Sequence, residues 1–326
     1  MSNSNMNRRE FIRLNTTALA GAAIAPAAIA GEKQGTHTQT GADNHNRSPG
    51  FYRFAMGDTE ITVLSDGYFH FPMDLIKVND PLEHRAFNVD PERRAEYFRS
   101  RLVPADHTPL QASPILIESG DRRTLVDPGI GIAFPNFPPA GGRLGPSLEA
   151  AGVPPESIDA VILTHAHPDH MGGLLDPQTE APAFPNAEVL ISEREFEFWT
   201  GDEAPAALEP IFELEEPGAA ERGVLEGLED RVRTIQSDEE VVTGIRSIPS
   251  PGHTPGHIAI DVEGGGQELL IVGDALVFTH VSFEHPEWQF FHDIDREEAV
   301  RSRRRLLDRA ATDEMLILGF HFPFPG

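Results

Sequence analysis

VILTHAHPDHMGG, Val161 to Gly173, is the stretch around which the chain is organised. Its apolar opening, Val161 to Leu163, has the pattern of a short buried strand. His165, His167, Asp169 and His170 then arrive within six residues. The reading places this cluster on the loop at the carboxyl end of the strand, with Met171-Gly172-Gly173 opening the next element. A single histidine after a strand is most often a hydrogen-bonded structural residue. Three histidines and an aspartate on one loop are a different matter, because such groups crowd and desolvate one another unless a cation lies among them. Imidazole nitrogen and carboxylate oxygen are the donors that zinc and its first-row neighbours take, and His-x-His-x-Asp-His is a spacing of the kind that clustered ligands show.

Three later segments end in the same way. Pro251-Gly252-His253-Thr254-Pro255-Gly256-His257 follows a strand pattern at Val241 to Ile248. Gly273-Asp274 follows the apolar run Leu269 to Val272, and Gly319-Phe320-His321 follows Met315 to Leu318. Polar residues at corresponding ends of neighbouring strands converge, so these can reach one cavity. Between them the chain alternates strands and helices. Phe51 to Gly67 reads as two strands turned at Gly57-Asp58, residues 80–103 as a helical insertion, and Glu193 to Trp199 as the start of a helix. Residues 201–230 read as an acidic inserted lobe or loop, and Asp295 to Ala310 as an amphipathic helix with Arg301, Arg303, Arg304 and Arg305 outward. Pattern alone says mixed α and β.

The assembled set resembles the metallo-β-lactamase superfamily over residues 51–326. The resemblance implies a four-layer αββα sandwich. It implies that His165, His167 and His253 hold one divalent ion, that Asp169, His170 and His321 hold a second, and that Asp274 bridges them. Zinc is the expected metal, with manganese, iron or cobalt as alternatives. Asp127, in Leu125-Val126-Asp127-Pro128-Gly129, matches the family's acidic strand end, whose role is to hydrogen-bond ligand residues. Thr62 to Gly67, Phe196 to Trp199 and Phe322 to Gly326 resemble the methyl parathion hydrolase branch, which also contains proteins similar to N-acyl-homoserine lactonases. The compact lactonases carry a tyrosine three residues after the bridging aspartate, and this chain has Val277 there. The mechanism implied is attack on a carbonyl or phosphoryl centre by a metal-bridging hydroxide, with Asp169 and Asp274 as the catalytic carboxylates and Asp169 relaying a proton to the leaving group. Trp199, Phe278 and Phe291 are expected to line an apolar substrate pocket. His257, His280, His285 and His292 are expected to be structural. Two alternatives carry other chemistry on this fold: a β-lactamase-type amide hydrolase, and a mononuclear-iron sulfur dioxygenase.

Composition bounds the rest. Cysteine is absent, which excludes disulfides, a thiolate nucleophile and a thiolate metal site. The formal charge is −26 and the only lysines are Lys33 and Lys77, so the surface is acidic, disfavours nucleic acid and suggests a halophilic source. Residues 1–30 resemble a twin-arginine signal peptide: Arg8-Arg9 precede an alanine-rich run that ends in Ala28-Ile29-Ala30. That run is too short and too polar for a stable membrane anchor. Residues 31–50 read as a disordered tether. The expectation is an exported hydrolase acting on a neutral small-molecule lactone, ester or phosphotriester, with a homodimer allowed.

Overall fold

Gly57 and Asp58 turn strand β1 (Phe51–Met56) back onto β2 (Thr59–Leu64), with Gly57 at φ +60°, a left-handed conformation that glycine adopts without steric cost. The protein is seen here in a computed structural model that describes residues 50–131, 142–176, 179 and 181–326. The signal-peptide reading of residues 1–30 and, but for Gly50, the tether reading of residues 31–50 lie outside the described residues.

Strands β3 (Gly67–His70) and β4 (Pro109–Ala112) pair with each other as a separate ribbon. Strands β5 (Ile115–Ser119) and β6 (Arg122–Val126) form a second hairpin. Strands β7 (Ala160–Ile162), β8 (Glu188–Ser192) and β9 (Val232–Ile235) then add in parallel, giving a seven-stranded sheet in the order β1-β2-β5-β6-β7-β8-β9. The second sheet runs β10 (Glu240–Val242), β11 (Ile245–Pro249), β12 (Ile258–Gly264), β13 (Gln267–Ile271) and β14 (Leu316–Leu318). Val241 to Ile248, read as one strand, is a hairpin, because Gly244 at φ +75° reverses the chain between β10 and β11.

The period-two alternation of the strands builds the layers. Ala160 and Ile162 of β7 face the second sheet, where they join Ile258, Ile260, Val262, Leu269 and Ile271 in one buried cluster. Val161, between them, faces the other way, into a cluster with Leu148, Phe198, Trp199 and Leu225 from the outer helices. On β12 and β13, Ala259 and Leu270 turn outward onto Leu306 and Ala310 of the 296–312 helix. The result is helix, sheet, sheet, helix: the four-layer αββα sandwich. Each large aliphatic side chain so buried contributes about 1.5–3 kcal/mol.

Three local readings change. Asp169 and His170 lie within a one-turn helix, Pro168–Met171, and not on an open loop; Pro168 supplies the preset φ that starts it. The acidic 201–230 segment contains helices at Ala204–Leu208 and Ala219–Gly227. Arg303, expected outward, is fully buried. Its Nε donates to Ala275 O (2.9 Å), Nη1 donates to Trp288 O (2.6 Å), and its guanidinium lies 3.9 Å from the centre of the Phe290 ring. A planar cation with five fixed donors can tie loop carbonyls together inside a fold, and helical periodicity does not distinguish that use from exposure.

Candidate metal centre

Every residue of the cluster sits at or just beyond the carboxyl end of a strand. His165 follows β7, His253 follows β11, Asp274 follows β13 and His321 follows β14. His165, His170, His253, Asp274 and His321 are buried; Asp169 is half-buried, with 15% of its side chain exposed.

The side-chain ends form two triads. His167 Nδ1 lies 3.0 Å from His165 Nε2 and 2.9 Å from His253 Nε2. His321 Nε2 lies 3.3 Å from His170 Nε2 and 3.2 Å from Asp169 Oδ2. Asp274 stands between them with its oxygens divided: Oδ2 is 3.4 Å from His253 Nε2, while Oδ1 is 3.2 Å from His170 Nε2 and 3.3 Å from His321 Nε2. The structure thus brings together all seven residues proposed as ligands.

Three of the imidazoles are held from behind by their other nitrogen, whereas the rear Nε2 of His167 is buried without a partner. His170 Nδ1 is 2.9 Å from Asp127 Oδ2, His253 Nδ1 is 3.0 Å from Asp293 Oδ1, and His321 Nδ1 donates to Gln111 O at 2.7 Å. Such partners fix ring orientation and leave the front nitrogen free to ligate. Asp127 also accepts from Thr164 N and Oγ1 (2.8 and 2.7 Å) and holds φ +50°, a conformation uncommon outside glycine.

Glu195 is a buried clamp that the sequence reading passed over. One oxygen accepts from Ala166 N (3.0 Å) and the Trp199 indole (2.7 Å); the other accepts from Thr254 Oγ1 (2.7 Å) and Gly256 N (3.0 Å). It therefore joins the His165–His170 segment to the His253 loop. Asp293 was likewise unassigned, and His257, expected to be structural, is so, with Nδ1 2.8 Å from Ser250 Oγ. His257 Nε2 accepts from Asp274 N at 3.0 Å and so positions the bridging residue. The available signal for Glu195 was its place just after β8, the same strand-end position the other site residues occupy.

Electrostatics divide the two triads. Burial is the largest influence throughout and disfavours charge. On His165, His167 and His253 it prevails: His165 falls well below the usual histidine range, His167 to about 3 and His253 to about 4. On His170 and His321 burial is outweighed by Asp274 and Asp169, so His170 rises well above its ordinary value and His321 rises to about 9. Conversely, burial of Asp169 is outweighed by His170 and His321, and its carboxyl falls to about 2.

The donors fit a metal. Zinc takes nitrogen ligands at about 2.0–2.1 Å in tetrahedral sites, which implies ligand-to-ligand edges of about 3.4 Å, close to the spacings above. Asp274 Oδ1 is buried with no hydrogen-bond partner, an orphan that a cation would satisfy.

The aromatic residues expected around a substrate have three different settings. Trp199 is wholly buried beneath His167, with ring centroids 5.6 Å apart, so it supports the site from below and lines no open mouth. Phe278 is half-buried beside His84 and His292. Phe291 is buried with Ile76 and Ile211.

Comparison with known proteins agrees with this architecture. The family model for the metallo-beta-lactamase superfamily matches residues 107–321. An uncharacterized protein, YobT of Bacillus subtilis, is 29% identical over 203 residues, 60% of this chain and 77% of that protein. An N-acyl homoserine lactonase of a Bacillus species is 28% identical over 176 residues, 53% of this chain but only 60% of the lactonase. Among solved structures, AidC, a dizinc quorum-quenching lactonase determined with a product, is similar at TM-score 0.75 and 27% identity, covering 85% of this chain and 92% of AidC. The hydrolase AbOPH is similar at TM-score 0.70 and 27% identity, covering 86% and 92%. With more than half its length matched by the family model and its strand ends converging on a His/Asp site, the chain belongs to the metallo-beta-lactamase superfamily and is a metal-dependent hydrolase.

Proposed function

We propose that the protein is a dinuclear hydrolase of neutral lactones or esters, phosphotriesters included, and that it is exported. The observation that carries the dinuclear reading is the split of Asp274, one oxygen toward His253 and the other toward His170 and His321. His165, His167 and His253 would hold the first divalent ion, and Asp169, His170 and His321 the second, with zinc the metal that suits these donors. Ions bound there supply Lewis acidity and activation of water.

The chain's own residues do the rest. Asp127, Asp293 and Gln111 O hold three imidazoles in fixed orientation, so little reorganisation is needed during reaction. Asp169 is the partly exposed carboxylate of the set; its Oδ2 turns toward His321 and His170, where the second ion would bind, so its other oxygen is the one left to carry the proton that the leaving oxygen receives. The rim is apolar. Segments around 68–112 and 199–230 are joined by backbone bonds, Lys77 N to Ile211 O (2.9 Å) and Glu213 N to Leu75 O (2.8 Å). They gather Phe71, Met73, Ile76, Ile211, Phe212 and Phe291 into one apolar cluster, which suits an acyl or aryl substituent better than a charged one. The lactonase likeness favours lactones within this class. Two divalent sites, an acidic surface and the arginine-led amino terminus are consistent with a protein that folds around metal before crossing a membrane.

A hydrolysis panel tests the substrate reading: acyl-homoserine lactones, aryl esters, a phosphotriester and a cephalosporin, each at low and high salt. Turnover of a lactone or ester well above the cephalosporin is expected. Cephalosporin hydrolysis alone would reassign the protein as a lactamase, and oxygen consumption with a persulfide would reassign it as a dioxygenase.

A further inference from the structure

Beside the ligand set lies a buried histidine pair that it does not use. His84, on the Pro81–Arg85 helix, is fully buried, and His292 is 5% exposed. His84 Nε2 is 2.6 Å from His292 Nδ1. Phe71 lies against both rings, with centroids 4.3 Å from His84 and 6.0 Å from His292, and Phe290 stacks on His292 at 5.8 Å. A ring nitrogen of His292 lies within 4.8 Å of ligand atoms on both His253 and Asp274. With Nδ1 taken by His84, Nε2 is the nitrogen left to serve the site.

The pair has two neutral arrangements. If His292 Nδ1 donates to His84, the remaining proton of His84 sits on its Nδ1, which is buried and has no partner. If His84 Nε2 donates to His292, the unpartnered His84 Nδ1 is a lone pair, and His292 carries its proton on Nε2. A buried orphan N–H is the rarer and costlier of the two, so the second arrangement is favoured. Burial, reinforced by the facing ring, keeps His84 uncharged.

On the hydrolase reading above, we propose that His292 Nε2–H is a hydrogen-bond donor to the carbonyl or phosphoryl oxygen of the bound substrate, and that His84 is the positioning residue that fixes its tautomer. A fixed neutral donor next to the first triad would orient an ester oxygen and strengthen its bond as negative charge develops there. Phe71, Phe278 and Phe290 pack around the pair, so the donor stands in an apolar wall. The Phe71 face leads directly into the apolar cluster with Ile76 and Ile211, so one substrate can reach both.

Two measurements decide it. Long-range proton–nitrogen spectra of the metal-free protein should show His84 and His292 each protonated on Nε2; a proton on Nδ1 of His292 overturns the assignment whatever the enzyme hydrolyses. In zinc-loaded protein, His292→Phe should lower kcat/KM for the preferred ester or lactone by about 100-fold, the usual effect of deleting one such donor, with zinc content and melting temperature held. His292→Gln, which restores an N–H near the same place, should recover a substantial part. His84→Phe should lower kcat/KM less, with His292 shown by its spectrum to populate both tautomers. An active wild type beside an unaffected His292→Phe overturns the donor role alone, as does loss of zinc from that variant, which would make His292 a ligand. A wild type inert on every substrate overturns the hydrolase reading and the donor role with it, while the spectrum still reports the tautomer.

Discussion

Asp293 shows how a residue acts through its neighbour. It is fully buried, and its Oδ1 faces His253 Nδ1. Burial pushes its carboxyl up to about 6 despite the nearby Arg303. Asp293→Asn retains volume and removes the charge that orients His253. Zinc affinity, measured by chelator competition, should fall about 10- to 100-fold; unchanged affinity would mean that His253 is oriented by its loop alone. Glu221 offers a test unconnected with metal. Burial raises its carboxyl to about 7, whereas the unfolded chain releases that proton near 4.5. Between those values the folded state binds more proton, so stability falls as pH rises through the window and stays lower above it. Glu221→Gln should remove this slope and, by denaturant unfolding near pH 8, stand on the order of 2–3 kcal/mol above wild type. Equal stabilities there would show that Glu221 stays ionised in the fold. At this scale the seven proposed ligands were legible because His and Asp at strand ends have a spacing; Asp293, His84 and His292 were not, since isolated residues on a one-turn helix or in a connecting segment carry no spacing at all.

Among elements, the clamp between the His165–His170 turn and the 252–257 loop organises the site. Glu195 reaches both from the first turn of the 193–200 helix, where Ser192 caps the helix by accepting from Glu195 N. A Cβ on Gly256 would collide with the backbone of Glu195, so the two segments must meet as bare backbone. All four groups that bond the Glu195 oxygens are donors. An amide in its place must turn its own N–H₂ toward one of them. Glu195→Gln should therefore cost about 2–4 kcal/mol in the metal-free protein, read by chemical denaturation; a loss below about 0.5 kcal/mol would show that the clamp carries no net stability. Most strands and the long helix were readable from period; the β3–β4 ribbon was not, and the β10–β11 hairpin read as one strand. Helices 204–208 and 219–227 were not, because an acidic segment rich in Pro and Ala lacks a clear apolar stripe until its packing partner, the 193–200 helix, is known. Arg303 was misplaced for the same reason: its partners are carbonyls of loops, which leave no periodic trace.

For the molecule as a whole, two sheets deliver polar residues from four strand ends to one edge of the sandwich. The layered fold follows from alternation along the strands, and the site follows from where those strands stop. The acidic surface plays no part in that geometry; its charge bears on solubility and on which solutes approach. What composition and pattern left undetermined is how the 68–112 and 199–230 segments meet, because backbone bonds between Lys77 and Ile211 and between Glu213 and Leu75 join residues far apart in sequence. The central claim is that one hydrolytic site is built around two ions joined by Asp274. The direct measurement is a titration of metal-free protein with zinc while hydrolysis of the preferred ester or lactone is followed. Activity should reach its plateau at two zinc ions per chain, and Asp274→Ala should show neither that plateau nor turnover. Full activity at one ion per chain, or hydrolysis by metal-free protein, would contradict it.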